Sequence, residues 1–387
     1  MRFRWSFLLA VALCGLGFWL NITTVHAQGT DPYFGETICL PEAYLQVPGS
    51  CLALGPSEKL TEWAQKGITY PLVKPAIIHP SADLNQSQEA YLKVTKGSIP
   101  LYASLDEAIA RQSSRSLDPG LKYLSMMRRM DVDNTVYYQL RNGWWVEAGE
   151  AGAACCIYGG RFQGLVFPQA PHSNLGWIMD YIRARSGPGY AFPEIGEKMP
   201  YETVVPVYDV VEADNTKWYM IGPDTWVERR FFRMLEVHRP APEGVTSGRW
   251  IEVNLYEQTL SVFEDSRIVF ATLIASGQDP FFTRPGLFQI YKKLDTETMS
   301  GAFAADRSDY YYLEGVPWTM YYDEARALHG AYWRTMMGFP QSHGCVNLSV
   351  GDSAWLYKWA VEGDWVYVWD PSGQTPTDPK YYTPGGA

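Results

Sequence analysis

The stretch Gln341-Ser342-His343-Gly344-Cys345-Val346-Asn347 sets one histidine two residues before a cysteine and an asparagine two residues after it. A second histidine, in His329-Gly330, lies 16 residues upstream of Cys345. A thiol is a weak nucleophile until a nearby imidazole takes its proton or holds it as thiolate. Histidine titrates in the range that lets the same ring then protonate a departing amine. Attack on an amide also needs donors aimed at the developing oxyanion, and a tight turn with Gly344 ahead of Cys345 can direct several backbone N–H groups inward. The set reads as a covalent acyl-transfer site, with Cys345 as nucleophile and His329 as base. Alternation points His343 to the same side as Cys345 in a supporting role, and Ser342 is expected to hydrogen-bond within the turn. Two other readings stay open on residue types alone. Cys345 is then a structural thiol, or His329, His343 and Cys345 hold a zinc ion with water in the fourth position. The tight His-x-Cys spacing and the lack of a nearby acidic partner count against zinc. His79, His172 and His238 each stand alone in loop-like sequence and read as surface residues.

The elements that must position these side chains are mostly strands. Residues 249–277 alternate apolar and polar over two strands joined by a turn around Glu264-Asp265-Ser266. Pro285-Gly286 marks another turn before a strand, and the segment around "VPWTMYYDEARALHG" supplies strand, turn and the His-Gly pair. After the cysteine, "GDSAWLYKWAVEG" reads as a helix with Asp352 or Ser353 as its cap and Gly363 as its stop. "DWVYVWD" closes as a final strand.

In this order, "NLYEQTLSVFEDSRIV", "TRPG", "ALHG", "SHGCVN" and "GDWVYV" resemble the catalytic domain of L,D-transpeptidases, the YkuD-type fold, over residues 249–370. The resemblance implies that Cys345 is the nucleophile, that His329 is the base, and that the backbone carbonyl of Gly330 orients the imidazole. It places His343, Gly344 and the Cys345 amide on the segment that supplies the oxyanion site. Asn347 stands where many members carry arginine and others asparagine, so Ser342, Gly344 and Asn347 are assigned to substrate binding and no residue to a metal. A lid over the site falls near 293–315. The implied reaction is cysteinyl thioester formation with a peptidoglycan tetrapeptide stem, release of D-alanine and transfer to an acceptor amine, with no cofactor. Acylation by carbapenems is implied as well. Hydrolysis of stems, as an L,D-carboxypeptidase or endopeptidase, and a non-catalytic wall-binding protein are the alternatives.

The rest of the chain organises around an internal repeat. "DNTVYYQLRNGWWVE" (133–147) matches "DNTKWYMIGPDTWVE" (214–228) without a gap, and "SIPLYASL" (98–105) resembles "VVPVYDVV" (204–211). Each copy reads as strand, turn (Asn142-Gly143 or Pro223-Asp224), strand. The copies resemble bacterial Src-homology-3-like modules, small β-barrels, the first with an insertion near 106–130. The expected organisation is an export signal at 1–27, a region of unassigned role at 28–90 and a first module at 91–165. A connecting segment with a short helix at 173–187 spans 166–198, followed by a second module at 199–237 and a linker at 238–248. The catalytic domain, 249–370, and a flexible tail, 371–387, complete a mainly β chain.

Arg2 and Arg4 ahead of an apolar run, with Val25-His26-Ala27 as a cleavage site, predict export to the cell envelope. Aromatics make up 15% of residues and charged residues only 19%, which favours β-rich folds. A net charge of −10 without a basic block argues against nucleic-acid binding. The expected partners are peptidoglycan stem peptides, with wall polymer on the repeat modules. Cys39 and Cys51 bracket a loop that a disulfide could close after export, whereas Cys155 and Cys156 read as buried thiols or as partners for other cysteines.

Overall fold

The computed structural model describes residues 56–382 other than 71, 73–74, 79, 86–89, 158–159, 303–305 and 308–309. The expected export signal, Cys14, Cys39, Cys51, His79 and most of segment 28–90 lie outside the described residues, as do residues 383–387. Two compact units divide the chain, Met1–Tyr70 and Pro71–Ala387. In the first, helix Pro56–Gln65 forms and Gly67 follows it at φ 75°, while Trp63 meets Tyr70 edge-on at 5.4 Å.

The repeat is visible in the second unit as two copies of one three-stranded meander. Strands Leu121–Val132, Thr135–Leu140 and Trp145–Glu147 pair in sequence, and so do Asp209–Ala213, Thr216–Gly222 and Thr225–Glu228. In each copy the Asp-Asn pair that opens the motif forms the first turn. Asp133 and Asn134 have φ of 49° and 63°, Asp214 and Asn215 of 51° and 60°. Two consecutive positive φ values define the turn whose twist matches a hairpin, and Asn and Asp tolerate it because their short polar side chains bond locally. The insertion in the first copy holds helix Leu105–Ile109, capped by Ser104, and strand Arg115–Leu117.

Segment 173–187 is not helical. It forms strands Leu175–Ile178 and Ile182–Arg185, which pair with Val204–Pro206, Phe232–Leu235, Glu194–Met199 and Thr225–Glu228. All four residues of Leu175–Ile178 are buried, a two-sided burial that a surface helix cannot satisfy. The strands of the second meander therefore draw on residues assigned from sequence to a connector. Cys155 and Cys156 are bonded to each other, with Cys155 exposed, rather than lying as buried thiols. His172 and His238 are exposed, and His238 Nε2–H donates to the His172 carbonyl at 3.1 Å.

Two sheets carry the C-terminal region. A six-stranded sheet runs Gly286–Gln289, Trp365–Trp369, Arg249–Asn254, Thr259–Glu264, Arg267–Leu273, Leu165–Val166. Its Asp265-Ser266 turn, at φ 49° and 62°, lies where the sequence placed it. A nine-stranded sheet runs Val346–Leu348, Arg326–Gly330, Tyr311–Asp323, Leu121–Val132, Ala90–Val94, Ala153–Ile157, with Lys292–Gly301 paired to Tyr311–Asp323 and the first meander attached. The first meander and the strands Arg326–Gly330 and Val346–Leu348 thus share one sheet. A single apolar cluster joins the two sheets through Ile251, Val253, Leu260 and Val262 on one and Met320, Leu328, Val346 and Leu348 on the other, closed by Leu356 of helix Val350–Trp359.

Two expected caps are corrected. Ser349, not Asp352 or Ser353, caps this helix, its Oγ accepting from Asp352 N–H at 3.0 Å. Asp352 is instead buried inside, where its carboxylate accepts from Gln163 N–H, Gly164 N–H and Thr272 Oγ–H. The helix ends at Ala360 rather than Gly363, which sits in the following turn. The tail is also packed further than expected. Asp370 gathers Ser372 and Thr375 into a tight loop, and Tyr382 is buried with its ring 5.3 Å from the Arg326 guanidinium.

Candidate active site

Strand Arg326–Gly330 carries His329, and the turn before strand Val346–Leu348 carries Cys345. The two strands pair in parallel with His329 opposite Asn347. That register brings residues 16 positions apart onto one wall. His329, Ser342, His343, Cys345 and Asn347 line a single pocket of about 240 Å³ together with Leu121, Tyr123, Met299, Tyr311, Leu313, Trp333 and Arg334. Met299, Tyr311 and Leu313 come from the hairpin Lys292–Gly301/Tyr311–Asp323, in the region where a lid was expected.

His329 is buried, and its Nδ1–H donates to the Gly330 carbonyl at 3.3 Å. A carbonyl only accepts, so this bond fixes the proton on Nδ1 and leaves Nε2 with a free lone pair. Burial pushes the His329 pKa down to about 4. The Gly330 carbonyl opposes that shift and the nearby Arg334 adds to it. Cys345 is equally enclosed, and burial pushes its thiol up to about 11, against the pull of the Ala327 backbone and the Arg326 guanidinium. Between these values the resting pair is neutral thiol and neutral imidazole. The Cys345 Sγ–H contacts the Ala325 carbonyl at 3.8 Å.

The turn that presents Cys345 is stapled from within. Ser342 Oγ–H donates to the Cys345 carbonyl at 2.5 Å, and the same oxygen accepts from Gly344 N–H at 3.1 Å. Gly344 adopts φ 120°, which an L side chain rarely takes. Its carbonyl accepts from Thr283 Oγ–H at 2.9 Å. The Gly344 N–H is thus engaged by Ser342, so of the segment assigned to the oxyanion that donor is already occupied. Ser342, expected among substrate-binding residues, lines the pocket while its hydroxyl shapes the turn. Neither Gly330 nor Gly344 is among the lining residues; both act through the backbone. Asn347 exchanges backbone hydrogen bonds with Ala275 in both directions, at 2.9 and 3.0 Å. The His343 ring lies parallel to Tyr311 at 5.7 Å and edge-on to Phe281 at 4.8 Å.

Sequence reasoning missed Trp333 and Arg334, although both follow His329-Gly330 closely. It also missed Leu121 and Tyr123, which arrive from the first module through strand pairing and carry no local signal. Arg334 anchors to Gln341 Oε1 at 3.0 Å and to the Gln341 carbonyl, and burial pushes its pKa down to about 10.

A buried thiol and an imidazole line one pocket, on parallel strands of a β domain, and these are the residue types that covalent acyl transfer requires. A family model described as the L,D-transpeptidase catalytic domain, YkuD, matches residues 248–368. The match falls on the family and the stretch that the sequence resemblance named. Among curated proteins, the putative L,D-transpeptidase YciB of Bacillus subtilis (strain 168) is 24% identical over 127 residues, covering 28% of this chain and 59% of that protein. The chain thus spans little more than half the length of this relative. Among solved structures, an L,D-transpeptidase (Yku) from Stackebrandtia nassauensis is 29% identical over 34% of this chain and 59% of that one, with a TM-score of 0.27. The catalytic domain of the Enterococcus faecium L,D-transpeptidase is 26% identical over 33% of this chain and all of that one, with a TM-score of 0.29.

Proposed function

We propose that the protein is an exported peptidoglycan L,D-transpeptidase. The observation that carries the reading is the convergence of Cys345 and a Nδ1-protonated His329 on one pocket within the matched domain. In the first half-reaction Cys345 Sγ attacks the carbonyl of the third, diamino-acid residue of a tetrapeptide stem while His329 Nε2 takes the thiol proton. The tetrahedral intermediate collapses as His329 returns that proton to the departing amine of D-alanine, leaving a thioester on Cys345. In the second half-reaction an acceptor amine attacks the thioester, His329 takes its proton, and the thiol is restored. The Cys345 N–H is the donor we assign to the oxyanion, because Ser342 engages the neighbouring Gly344 N–H. His343 and Asn347 hold the substrate from the pocket wall.

Export rests on the basic and apolar N-terminal run and its small-residue cleavage site at 25–27. The two meanders, with their resemblance to Src-homology-3-like modules, support residence at the wall.

Intact-protein mass spectrometry tests the reading. Incubation with a disaccharide-tetrapeptide is expected to give an acyl adduct and a cross-linked dimer. A carbapenem is expected to give a stable adduct on the same residue. Cys345→Ala removes both adducts, and His329→Ala slows acylation on the order of 10²–10⁴-fold. A shortened monomer without dimer would move the assignment to a carboxypeptidase. No adduct in the unmodified protein would sink the reading.

A further inference from the structure

The pocket around Cys345 is not closed by the catalytic domain alone. Leu121 and Tyr123, two of its lining side chains, belong to strand Leu121–Val132 of the first module. That strand lies parallel to the lid strand Tyr311–Asp323 with Leu121 opposite Tyr311 and Tyr123 opposite Leu313. Residues directly paired across two strands project from the same face, and all four line the pocket.

The junction is tied at several points. Leu121 N–H donates to the Tyr310 carbonyl at 2.9 Å. Glu314, on the lid strand, accepts from Ser125 N–H and from Asn142 Nδ2–H, each at 2.8 Å. Tyr91 stacks on Tyr332 with centroids 3.4 Å apart and donates its hydroxyl proton to the Gly315 carbonyl at 2.7 Å. The buried Lys122 donates to the carbonyls of Gly97, Asp118 and Gly120 at 2.7, 2.8 and 3.2 Å, fixing the loop that delivers the strand. Tyr123 itself is buried, edge-on to Tyr332 at 5.8 Å and tilted against Trp333 at 6.4 Å. It is held against the segment that follows the catalytic histidine.

We propose that the first module is a fixed wall of the donor pocket, and that Tyr123 with Leu121 sets the fit of the stem-peptide acyl group delivered to Cys345. This deepens the transpeptidase reading and rests on it. The ligand is the extended donor stem, whose diamino-acid side chain presents a hydrocarbon arm to a wall of Tyr123, Leu121, Met299 and Trp333. Such a wall discriminates by shape and apolar contact, so losing a ring from it weakens binding without touching the proton transfers between Cys345 and His329.

Steady-state release of D-alanine from a disaccharide-tetrapeptide by the full-length protein tests the proposal, with iodoacetamide alkylation of Cys345 as a probe too small to need the wall. Tyr123→Ala is expected to raise KM about tenfold with kcat within about twofold, and Leu121→Ala to raise KM by a smaller factor. Tyr123→Phe is expected to keep the parent KM, and alkylation rates are expected to stay within about twofold throughout. If Tyr123→Ala melts early, Leu121→Ala and Tyr123→Trp carry the same comparison. Unchanged KM in folded Tyr123→Ala and Leu121→Ala variants of an active enzyme would overturn the wall assignment, as would a fall in kcat with KM unmoved. An inactive parent protein would overturn the transpeptidase reading first and the wall with it.

Discussion

At the scale of residues, the site is governed by desolvation. Burial widens the gap that already favours a neutral pair, pushing the Cys345 thiol up to about 11 and His329 down to about 4. Acylation by a mechanism that starts from the neutral pair should therefore run flat with pH across the neutral range. It should fall only as His329 takes a proton near pH 4. A small electrophile that needs thiolate should instead alkylate Cys345 ever faster up to about pH 11. After the Ala327 backbone, the counterweight is Arg326, a buried guanidinium bonded to Asp323 at 3.1 Å, whose charge favours the thiolate. Arg326→Gln should push the thiol still higher and slow alkylation at pH 8 several-fold, with Arg326→Lys restoring part of it. Stopped-flow alkylation against pH reads both, and a profile that levels off near pH 7 would contradict the neutral pair. The same shifts bear on stability. The His329 pKa is lower in the fold than in the unfolded chain, so its contribution is present above about pH 6.5 and is lost as pH falls toward 4. The Cys345 pKa is higher in the fold, so its contribution is lost as pH rises from 9 through about 11.

At the scale of elements, the strands around Cys345 were legible because their signals are local. Alternation marked Thr259–Glu264 and Arg267–Leu273, and Asp265-Ser266 marked the turn between them. The motif alone singled out His329 and Cys345, which share one pocket in the fold. Segment 173–187 was misread because Trp177, Ile178, Tyr181 and Ile182 suit a helix stripe and a pair of strands equally, and only packing against Phe232–Leu235 decides between them. Tyr123 was invisible for a related reason, since its role depends on pairing between residues about 190 positions apart. That pairing has its own weak point in Gly120. Its φ is 140°, and a Cβ there would stand 1.9 Å from the Tyr310 carbonyl oxygen. Gly120→Ala must move the backbone at the junction, and we expect a loss of about 1–3 kcal/mol, read as a lowered urea midpoint. It should also raise the donor KM, because the displaced strand carries Leu121 and Tyr123. A midpoint equal to the parent's would show that the strand does not approach the lid so closely.

At the scale of the whole molecule, the modules do not behave as beads ahead of an enzyme. The first meander continues the sheet that holds His329. Leu175, Trp177 and Leu235 of the second region share an apolar cluster with Trp250, Phe263 and Leu273 of the catalytic domain. Polar ties cross the same boundary: Tyr219 Oη–H donates to Glu257 at 3.0 Å, and Arg233 Nε–H donates to the Gly338 carbonyl at 2.7 Å. Opening any one region would expose buried apolar surface of another, at roughly 25 cal/mol for each Å² uncovered, so partial unfolding is disfavoured. The unit Pro71–Ala387 should therefore unfold in calorimetry as one transition, with calorimetric and van't Hoff enthalpies equal, rather than as three resolved peaks. Trp177→Ala, at the shared cluster, should lower the whole transition and split it. If the unaltered chain already melts in separate steps, the regions are coupled too weakly for the first module to serve as a rigid wall. The donor specificity of Cys345 would then have to come from the catalytic domain's own side chains.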